Sequence, residues 1–596
     1  MCGIGGFFAH RPVPAAVADA MQRALRPRGP DAEHTAGFLN NRLFHARLSI
    51  IDPRPEADQP MVNERGDIWI VYNGEVYDWE SDAAALRAAG AVFSTRSDTE
   101  FILRAYEAWG IERLLERLRG MFAFAILDAR AGKAFIARDR MGEKPLIYSC
   151  VDGELVFGSL VRAVLPFVPA KQRVLSSEGI DAYLAHRYIP APRTAFKQIR
   201  RLENGHYLAF DLASRRLEKR RYWRPAPEPG SWLAALDESV RMRTIADRPL
   251  GVFLSGGIDS TVVASRLAAQ QLTQYRTYTA AFPGSDMDES AAARDTAAVL
   301  GLPNTPIVVP KSLDDDFAHI VAALDEPFAD PSSFPTWYLA REVSREVKVV
   351  LAGDGGDELF AGYKRVAKHL RTAWRGRFRI PMAVRPSLAG GKLAAELAMD
   401  WRDAYSLRFS GFAPAQRAFL QDAKRLPSLV HWREPETQAQ SPIEQLMAVD
   451  FANYLPEYIL RKSDLCTMAH GLEARAPFLD HRFVQRLLAV PEQARYTDPP
   501  KLLLREAMDR RLPPDLFNRK KRGFNPPLRD WLRGGLAHRF AGLGQRLQDA
   551  TAGQLVARPV DTFVQRYVSG ADALAEQVLQ LIVLDESLGQ LSRVPH

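Results

Sequence analysis

Residues 249–271, PLGVFLSGGIDSTVVASRLAAQQ, place a pair of glycines between two apolar segments of different period. The run PLGVFL is short and continuous, which predicts a buried strand, and the residues from Asp259 onward have the spacing of a helix. Backbone N–H groups at such a helix start, left uncovered by Gly256 and Gly257, can bind phosphate oxygens. The stretch lacks the G-x-x-x-x-G-K-[ST] order of a Walker loop. It therefore predicts a phosphate site of another kind at a strand end, with an ordinary glycine turn as the alternative.

The same alternation continues towards the C-terminus. Strand-like runs at 276–282, 305–309 and 347–353 are separated by helical stretches such as 288–301. Strands that alternate with helices predict an α/β doubly wound parallel sheet, with its sites at the carboxyl ends of the strands. The last ~230 residues look mainly helical. We assign residues 231–596 to this domain and its helical C-terminal part.

The N-terminal third has a different pattern. Seven short apolar runs are separated by turn signals: GGFFAH (5–10), RLSIID (47–52), IWIVYNGEVY (68–77), MFAFAILDA (121–129), KAFIARD (133–139), ELVFGS (154–159) and HYLAFDL (206–212). Many short strands with a few helices between them predict a sheet-rich α+β domain, which we assign to residues 1–211. The charged, proline-rich residues 212–230 then predict a linker.

Composition narrows the class of protein. A chain of 596 residues predicts two or more domains, and it has no apolar run of ~18 residues that would span a membrane. Three distant cysteines suit a reducing cytoplasm and predict no disulfide or zinc site. The net charge of +8 is concentrated partly in 363–379, but no nucleic-acid-binding motif accompanies it. We therefore expect a cytoplasmic protein that binds neither nucleic acid nor membranes, with anionic substrates accounting for part of the charge.

A second candidate site follows another strand. The segment VVLAGDGGDELFAGY, 349–363, places Asp354, Asp357 and Glu358 just after a buried run. Carboxylate oxygens are ligands that Mg²⁺ prefers, especially when it also binds a triphosphate. The alternative is a solvated acidic turn.

The start of the chain, MCGIGGFF, raises a third possibility. Removal of Met1 would make Cys2 the first residue, with a thiol and a free α-amine on one amino acid. An α-amine titrates near ~7.7–8.0 and can act as a base toward the thiol. Cys2 is therefore a candidate nucleophile.

The order S-G-G-x-D-S after a strand resembles the pyrophosphate loop of the ATP pyrophosphatases, which cleave ATP to AMP and pyrophosphate. Four further motifs stand in the order found in the glutamine-dependent asparagine synthetases: DEPFADPSS (325–333), GDGGDELFAGY (353–363), GLEARAPFLDH (471–481) and RKKRGF (519–524). Nearly the whole chain resembles this family. The resemblance implies an N-terminal nucleophile (Ntn) glutaminase domain, an αββα sandwich, followed by an ATP-pyrophosphatase domain.

The resemblance also implies an activity. Glutamine would be hydrolysed to glutamate and ammonia, and the ammonia would pass through an internal channel. The aspartate side-chain carboxylate would be activated by ATP and Mg²⁺ as an acyl-adenylate and then amidated to asparagine. No organic prosthetic group is implied, and a homodimer is compatible with the resemblance.

In the glutaminase site the resemblance gives Cys2 the attack on the glutamine amide, with its own α-amine moving protons. The Asn73 side chain and the Gly74 N–H would stabilise the oxyanion. Asn-Gly is equally typical of a type I′ hairpin turn, which remains an alternative. PRGPD, 27–31, matches the family's mobile flap, although Pro27 stands where histidine is usual.

Three further residues would bind glutamine by resemblance. Arg47 in HARLSIID matches the arginine that binds the substrate carboxylate, and Glu75 and Asp98 match the acids that face its α-amino group. Asp98 has a plainer alternative, because SDTE, 97–100, is a good capping box for a helix start.

The synthetase-site roles are likewise implied by resemblance. Asp259 and Asp357 would hold magnesium, Gly353, Asp354 and Lys462 would face the acceptor or adenylate, and Lys521 would balance developing phosphate charge. A surface lysine is the alternative for Lys521. The residues that would bind ATP and its pyrophosphate are Leu254, Ser255, Gly256, Gly257, Asp259, Ser260 and Ala280.

The sequence departs from the aspartate-specific members near the acceptor. Those members have Thr-Thr-Ile-Arg before a helix that begins here near SSFPTWYL, where no arginine occurs. Lys462 stands near another arginine position, and Asp354 stands where those members have glutamate. Aspartate is the leading acceptor, and a sugar acid or natural-product intermediate is the alternative. A non-catalytic glutamine or nucleotide sensor is a remote alternative, since both sites are chemically complete.

Overall fold

The computed structural model describes residues 2–285, 288–377, 386–388, 391–409, 411–424, 426–435, 439, 441–517 and 526–595. In these residues the chain forms two folding units joined through a segment without regular structure. None of the helices they contain combines the length and apolar character needed to cross a membrane.

The first unit contains two six-stranded sheets. Its strands are β1 (Gly3–Phe8), β2 (Ala32–Phe38), β3 (Asn41–Arg47), β4 (Met61–Val62), β5 (Ile68–Val76), β6 (Gly120–Asp128), β7 (Lys133–Arg138), β8 (Ile147–Val151), β9 (Glu154–Gly158), β10 (Ile199–Arg201), β11 (His206–Asp211) and β12 (Leu217–Arg221). Its helices are α1 (Ala15–Leu25), α2 (Glu80–Ala88), α3 (Asp98–Arg117), α4 (Val161–Val164) and α5 (Ser177–His186). The strand orders are β10-β8-β9-β1-β3-β2 and β12-β11-β7-β6-β5-β4.

The two sheets face each other across an apolar core. Ile4 and Phe8 of β1 meet Val71 of β5 and Ala125 of β6 there. Alternating strand residues point the other way, where α1 and α4 cover the first sheet and α3 covers the second. The unit is therefore an αββα sandwich, as the resemblance implies.

The second unit is built on one parallel sheet. Its strands are β13 (Leu250–Phe253), β14 (Arg276–Ala281), β15 (Asn304–Val308), β16 (Val349–Leu351) and β17 (Glu473–Arg475), in the order β15-β14-β13-β16-β17. The chain leaves β13 towards β14 and β15 and returns to the other side of β13 with β16. Sites in such sheets lie outside the strand ends where this reversal occurs. The residues after β13 and β16 therefore share one crevice.

Helices surround the sheet and form the C-terminal part. They are α6 (Trp232–Met242), α7 (Ile258–Ala269), α8 (Ser290–Leu300), α9 (Phe317–Ala323), α10 (Ser333–Val343), α11 (Gly356–Leu359), α12 (Lys364–Thr372), α13 (Lys392–Ala398), α14 (Trp401–Ala404), α15 (Pro414–Leu420), α16 (Pro442–Val449), α17 (Arg461–Met468), α18 (His481–Leu488), α19 (Glu492–Arg495), α20 (Leu502–Glu506), α21 (Pro514–Phe517), α22 (Leu528–Arg533), α23 (Leu543–Ala550), α24 (Ala557–Val568) and α25 (Ala575–Leu591). A π-helical stretch, Asp450–Leu460, leads directly into α17. The predicted α/β sheet with a helical C-terminal part is confirmed.

Two details of the sequence reading differ from the structure. Residues 48–50 of RLSIID form no strand, because β3 ends at Arg47 and the chain then turns towards the site. Strand β12 lies within the linker predicted over 212–230 and pairs with β11. The irregular segment therefore begins only after Arg221, since residues 217–221 form an edge strand rather than a coil.

Candidate functional site

A small cavity lies beside the start of β1. It brings together five of the residues predicted for the glutaminase site: Cys2, Arg47, Gly74, Glu75 and Asp98. They come from four separate segments of the chain, so their convergence is a property of the fold. The cavity is therefore the candidate glutamine site.

Asn73 lies directly behind Cys2. The Cys2 backbone N–H donates to Asn73 Oδ1 at 2.8 Å. The amide Nδ2 of Asn73 is buried and has no hydrogen-bond partner among the described residues. A buried donor without a partner costs free energy unless a ligand accepts its hydrogen bond. Its position next to the thiol suits an oxyanion.

The hairpin-turn alternative for Asn73 and Gly74 is wrong. Both residues lie inside β5 and pair with Ala123 and Phe122 of β6. A Cβ at Gly74 would lie 2.1 Å from the carbonyl oxygen of Met121, so only glycine allows this close approach of the strands.

The Cys2 thiol is buried, and its surroundings act on its pKa in opposite directions. Burial raises the pKa, while a backbone hydrogen bond from Leu48 and the nearby Arg47 guanidinium lower it. The thiol is therefore protonated in the absence of substrate, and a base is needed to form the thiolate.

The two predicted ammonium-binding acids differ in their partners. Glu75 accepts a hydrogen bond from Arg475 Nη2 at 3.0 Å, and the Asp98 carboxylate accepts from Tyr72 Oη at 2.7 Å and from the Val76 N–H at 3.0 Å. Tyr72, which also lines the cavity, is a site residue that sequence reasoning missed. Its only signal is its place next to Asn73.

The capping-box explanation for Asp98 holds only in part. Ser97 Oγ caps α3 by accepting from the Glu100 N–H at 3.3 Å. The Glu100 carboxylate does not return the bond but accepts from the N–H groups of Ser94 and Thr95. Asp98 itself faces the cavity, so its carboxylate remains available for a ligand.

Arg47 is held rigidly at the cavity wall. Its guanidinium donates to the carbonyl oxygens of Arg54 and Asp52 at 3.0 and 2.6 Å and pairs with Asp58. The predicted flap packs nearby: Gly29 lies so close to Ala46 that a Cβ would be 2.0 Å from its carbonyl oxygen.

The predicted phosphate loop connects β13 to α7. The Gly257 N–H donates to Ser255 Oγ at 3.1 Å, and Ser255 Oγ lies 3.0 Å from Ser260 Oγ. Both hydroxyls and the start of α7 therefore face one spot, which suits a phosphate group. Leu254 follows the end of β13, and Ala280 lies on β14 next to it.

The acidic loop after β16 packs directly on this helix start. A Cβ at Gly356 would lie 2.4 Å from Asp259 Oδ1, which brings the loop against the Asp259 carboxylate. Lys501 Nζ then lies between the two predicted magnesium ligands. It donates to both Asp259 oxygens at 2.7 and 2.6 Å and pairs with Asp357. Sequence reasoning missed Lys501, which is 242 residues from Asp259.

This arrangement also tests whether the site suits magnesium. The two carboxylates converge on one buried cation, the Lys501 ammonium. A magnesium ion held by the same carboxylates would take its remaining oxygen ligands from a bound triphosphate. Asp259 and Asp357 thus fit the hard-oxygen ligand set that Mg²⁺ requires.

The predicted acceptor residues also lie together. Lys462 Nζ donates to Ser332 Oγ at 3.0 Å and lies 3.5 Å from the Asp330 carboxylate. Burial raises the pKa of Asp354, and the Lys462 ammonium opposes that shift. Asp330 was not predicted as a site residue, although it stands in the quoted motif DEPFADPSS. Lys521 lies outside the described residues.

The comparisons with known proteins agree with this architecture. The Glutamine amidotransferase domain family matches residues 1–223, and the Asparagine synthase family matches residues 231–589. The chain belongs to the glutamine-hydrolysing asparagine synthetase family. It is a carbon–nitrogen ligase of the glutamine-dependent amidotransferase type.

Individual relatives span most of the chain. "Asparagine synthetase [glutamine-hydrolyzing] 1" of Bacillus subtilis (strain 168) is 30% identical over 570 residues, covering 89% of this chain and 88% of its own length. "Amidase chyE" of Penicillium rubens is 27% identical over 623 residues, covering 90% of each chain. A glutamine phosphoribosylpyrophosphate amidotransferase structure from B. subtilis matches 62% of this chain and 77% of its own at 14% identity, with a TM-score of 0.29.

Proposed function

We propose that the protein is a glutamine-dependent asparagine synthetase that acts in the cytoplasm on glutamine, ATP and aspartate. The observation that carries the glutaminase half is the convergence of Cys2, Arg47, Glu75 and Asp98 on one cavity. The synthetase half is supported by the phosphate loop and the acidic loop, which meet at Asp259.

In the glutaminase step Cys2 attacks the side-chain amide of glutamine. Arg47 binds the substrate carboxylate, while Asp98 and Glu75 bind its ammonium group. After removal of Met1, the α-amine of Cys2 takes the thiol proton and passes it to the leaving ammonia, and water then hydrolyses the resulting thioester to release glutamate. Asn73 Nδ2 and the Gly74 N–H stabilise the oxyanion, because they are fixed before the charge develops.

In the synthetase step the α7 start and the hydroxyls of Ser255 and Ser260 bind the pyrophosphate end of ATP. Bound Mg²⁺ would neutralise triphosphate charge. Asp259 and Asp357 would hold it, and Lys501 adds a further positive charge beside both. Gly353 leaves the acidic loop close to α7, since a Cβ there would be 2.8 Å from the Ser260 N–H nitrogen. Lys521 stays a proposed catalytic residue by resemblance.

Aspartate is favoured as the acceptor by the charges near Asp354. An α-amino acid carries both an ammonium and a carboxylate, and Asp330 and Lys462 offer one partner for each. The two side chains lie 3.5 Å apart and pair with each other. A bound zwitterion would replace this pairing with contacts from its ammonium to Asp330 and from its carboxylate to Lys462.

A different carboxylic acid is the second candidate. Phe328, Tyr458 and Tyr454 stack in series at centroid distances of 5.3 and 4.8 Å. Burial raises the pKa of Tyr454, and the Asp330 carboxylate adds to this shift, so the ring cluster lies beside the proposed acceptor residues. All three rings are buried, so this candidate rests on the departures from the aspartate-specific motifs and on the similarity to Amidase chyE.

The test supplies purified enzyme with ATP, Mg²⁺, glutamine and aspartate and measures AMP, pyrophosphate and asparagine together. We expect one asparagine for each AMP. Glutamate release without asparagine would exclude aspartate, and a panel of aromatic and sugar acids would then be screened by AMP release.

Asn73→Ala gives a second prediction. Loss of one preorganised donor is expected to lower the glutaminase kcat by roughly 10²–10³ with a smaller change in KM, because the bond forms mainly in the transition state. Steady-state glutamate release measures both constants. Asn40→Ala is the control, since Asn40 lies outside the cavity and its amide donates to the His10 carbonyl at 3.0 Å. Equal effects of the two substitutions would exclude Asn73 from the oxyanion site.

A further inference from the structure

Two buried ion pairs join the glutamine cavity to the second folding unit. Arg28 donates from Nη1 and Nη2 to the Asp464 carboxylate at 2.8 and 3.1 Å, and Arg475 donates to Glu75 at 3.0 Å. The Arg28 and Asp464 side chains are only 2% and 3% exposed. Removing one partner of such a pair leaves the other charge buried without compensation. Asp464 of the second unit therefore constrains Arg28 of the first, and Arg475 constrains Glu75.

Arg28 also contacts the proposed nucleophile. Its third donor, Nε, binds the carbonyl oxygen of Cys2 at 3.2 Å. From the other side, Asn73 accepts the Cys2 N–H. The backbone of Cys2 is thus held between two side chains, and the orientation of Arg28 depends on Asp464.

Arg475 acts on the charge of Glu75. Burial raises the pKa of Glu75, and the Arg475 guanidinium opposes this shift. Without Arg475 the pKa of the buried carboxyl would rise further, and its attraction for an ammonium group would weaken. Arg475 is fixed on β17, where it pairs with Leu351.

We propose that Asp464 and Arg475, which belong to the synthetase unit, are positioning residues for glutamine hydrolysis. Asp464 sets the placement of Cys2 through Arg28, and Arg475 sets the binding of glutamine through Glu75. This inference goes beyond the proposed function and rests on its glutaminase step.

One positioning residue shares an element with a predicted acceptor residue, and the other is hydrogen-bonded next to one. Asp464 follows Lys462 by two residues on α17, and the Arg475 carbonyl accepts the Ala352 N–H at 2.9 Å, just before Gly353. The glutamine site is therefore complete only when these elements of the acceptor site are in place. The two reactions share their supporting structure.

The experiment measures glutamate release by full-length enzyme without ATP or acceptor. Asp464→Asn keeps the size of the side chain and removes its charge, and it is expected to lower kcat on the order of tenfold with little change in KM. Arg475→Gln is expected to raise the KM for glutamine on the order of tenfold with little change in kcat. This opposite division between kcat and KM is a result that general loosening of the fold would not produce.

A double-mutant cycle tests the route through Arg28. If Asp464 acts through Arg28, the double variant Arg28→Gln/Asp464→Asn loses no more kcat than Arg28→Gln alone. Losses that multiply would mean that Asp464 acts independently, and the proposal would be overturned.

The matched control is another buried ion pair between the units. Arg119 donates to Asp480 at 2.8 and 2.9 Å, with side chains 2% and 1% exposed, and neither residue lines the glutamine cavity. Asp480→Asn is expected to leave both glutaminase constants unchanged. Equal effects of Asp480→Asn and Asp464→Asn would mean that Asp464 acts only through the general stability of the fold, and this would overturn the proposal.

A folding failure of a variant and a failure of the glutaminase step itself are distinguished as follows. If Asp464→Asn fails to fold, Asp464→Glu keeps the charge and displaces it by one methylene, and the same selective loss of kcat is required. If the wild-type enzyme releases no glutamate, the proposed glutaminase step and this inference fail together. Glutamate release with the wrong pattern among the variants overturns the inference alone.

Discussion

Cys2→Ala is expected to lower glutamate release and glutamine-dependent amide formation by roughly 10³-fold or more, because the thiolate is the only group proposed to attack the amide. Synthesis from ammonium salts is expected to persist. The phosphate loop, the acidic loop and Lys462 do not include Cys2, and they lie in the second folding unit. The measurement compares AMP formation with glutamine and with ammonium chloride as nitrogen donors.

Cys150→Ala supplies the control for this prediction. Cys150 is an exposed free cysteine on β8, so it reports any effect of removing a thiol from the first unit. We expect both nitrogen donors to support full activity in Cys150→Ala. Glutamine-dependent activity retained by Cys2→Ala would refute the nucleophile assignment, whereas loss with both donors would point to a folding defect.

The sequence predicts the architecture because the patterns that encode it are local. The apolar runs in 68–77 and 121–129 give β5 and β6, and the run 250–253 gives the buried strand β13. The phosphate loop is likewise encoded in one stretch, where Gly257 and Ser255 form a bond two residues apart. Motifs of this kind can be read from the chain alone.

Prediction from local sequence fails where one short motif is compatible with two different structures. Asn73-Gly74 has the composition of a turn, yet it lies within β5, where only glycine at position 74 leaves room for the Met121 carbonyl of β6. That requirement involves a residue 47 positions away, which no dipeptide preference contains. The distinction between turn and oxyanion site therefore depends on tertiary structure.

The residues that reasoning from motifs missed are those that act across long separations. Tyr72 supports Asp98 from another segment, and Asp464 reaches Arg28 over 436 residues. Asp464 lies two residues after Lys462, and only the fold connects it to Cys2 through Arg28. Buried ion pairs between domains leave no periodic signal in either partner's sequence.

Lys501 leads to the second large prediction. Its ammonium is 2.6 Å from Asp259, pairs with Asp357 and is almost fully buried. The two carboxylates raise the pKa of Lys501, so the side chain remains a cation at every physiological pH. It therefore neutralises the carboxylates that are proposed to bind magnesium.

Lys501→Met is expected to lower ATP-dependent activity by roughly 10²–10³, since a fixed positive charge beside the phosphates is lost. In the enzyme without ATP the same substitution is expected to tighten Mn²⁺ binding by at least about tenfold, because the competing cation has been removed from between Asp259 and Asp357. Mn²⁺ serves as the probe, and its free fraction is followed by electron paramagnetic resonance during a titration.

The control for Lys501→Met is Lys348→Met. Lys348 lies in the same unit, and its ammonium contacts only the Ser344 carbonyl at 3.4 Å among the contacts of the described residues. We expect this variant to bind Mn²⁺ like the wild type and to keep full activity. Unchanged Mn²⁺ affinity in Lys501→Met would mean that Lys501 does not compete with the metal for the two carboxylates. Tighter binding with full activity would mean that Lys501 occupies the site without aiding catalysis, and only tighter binding together with lost activity gives the lysine both roles.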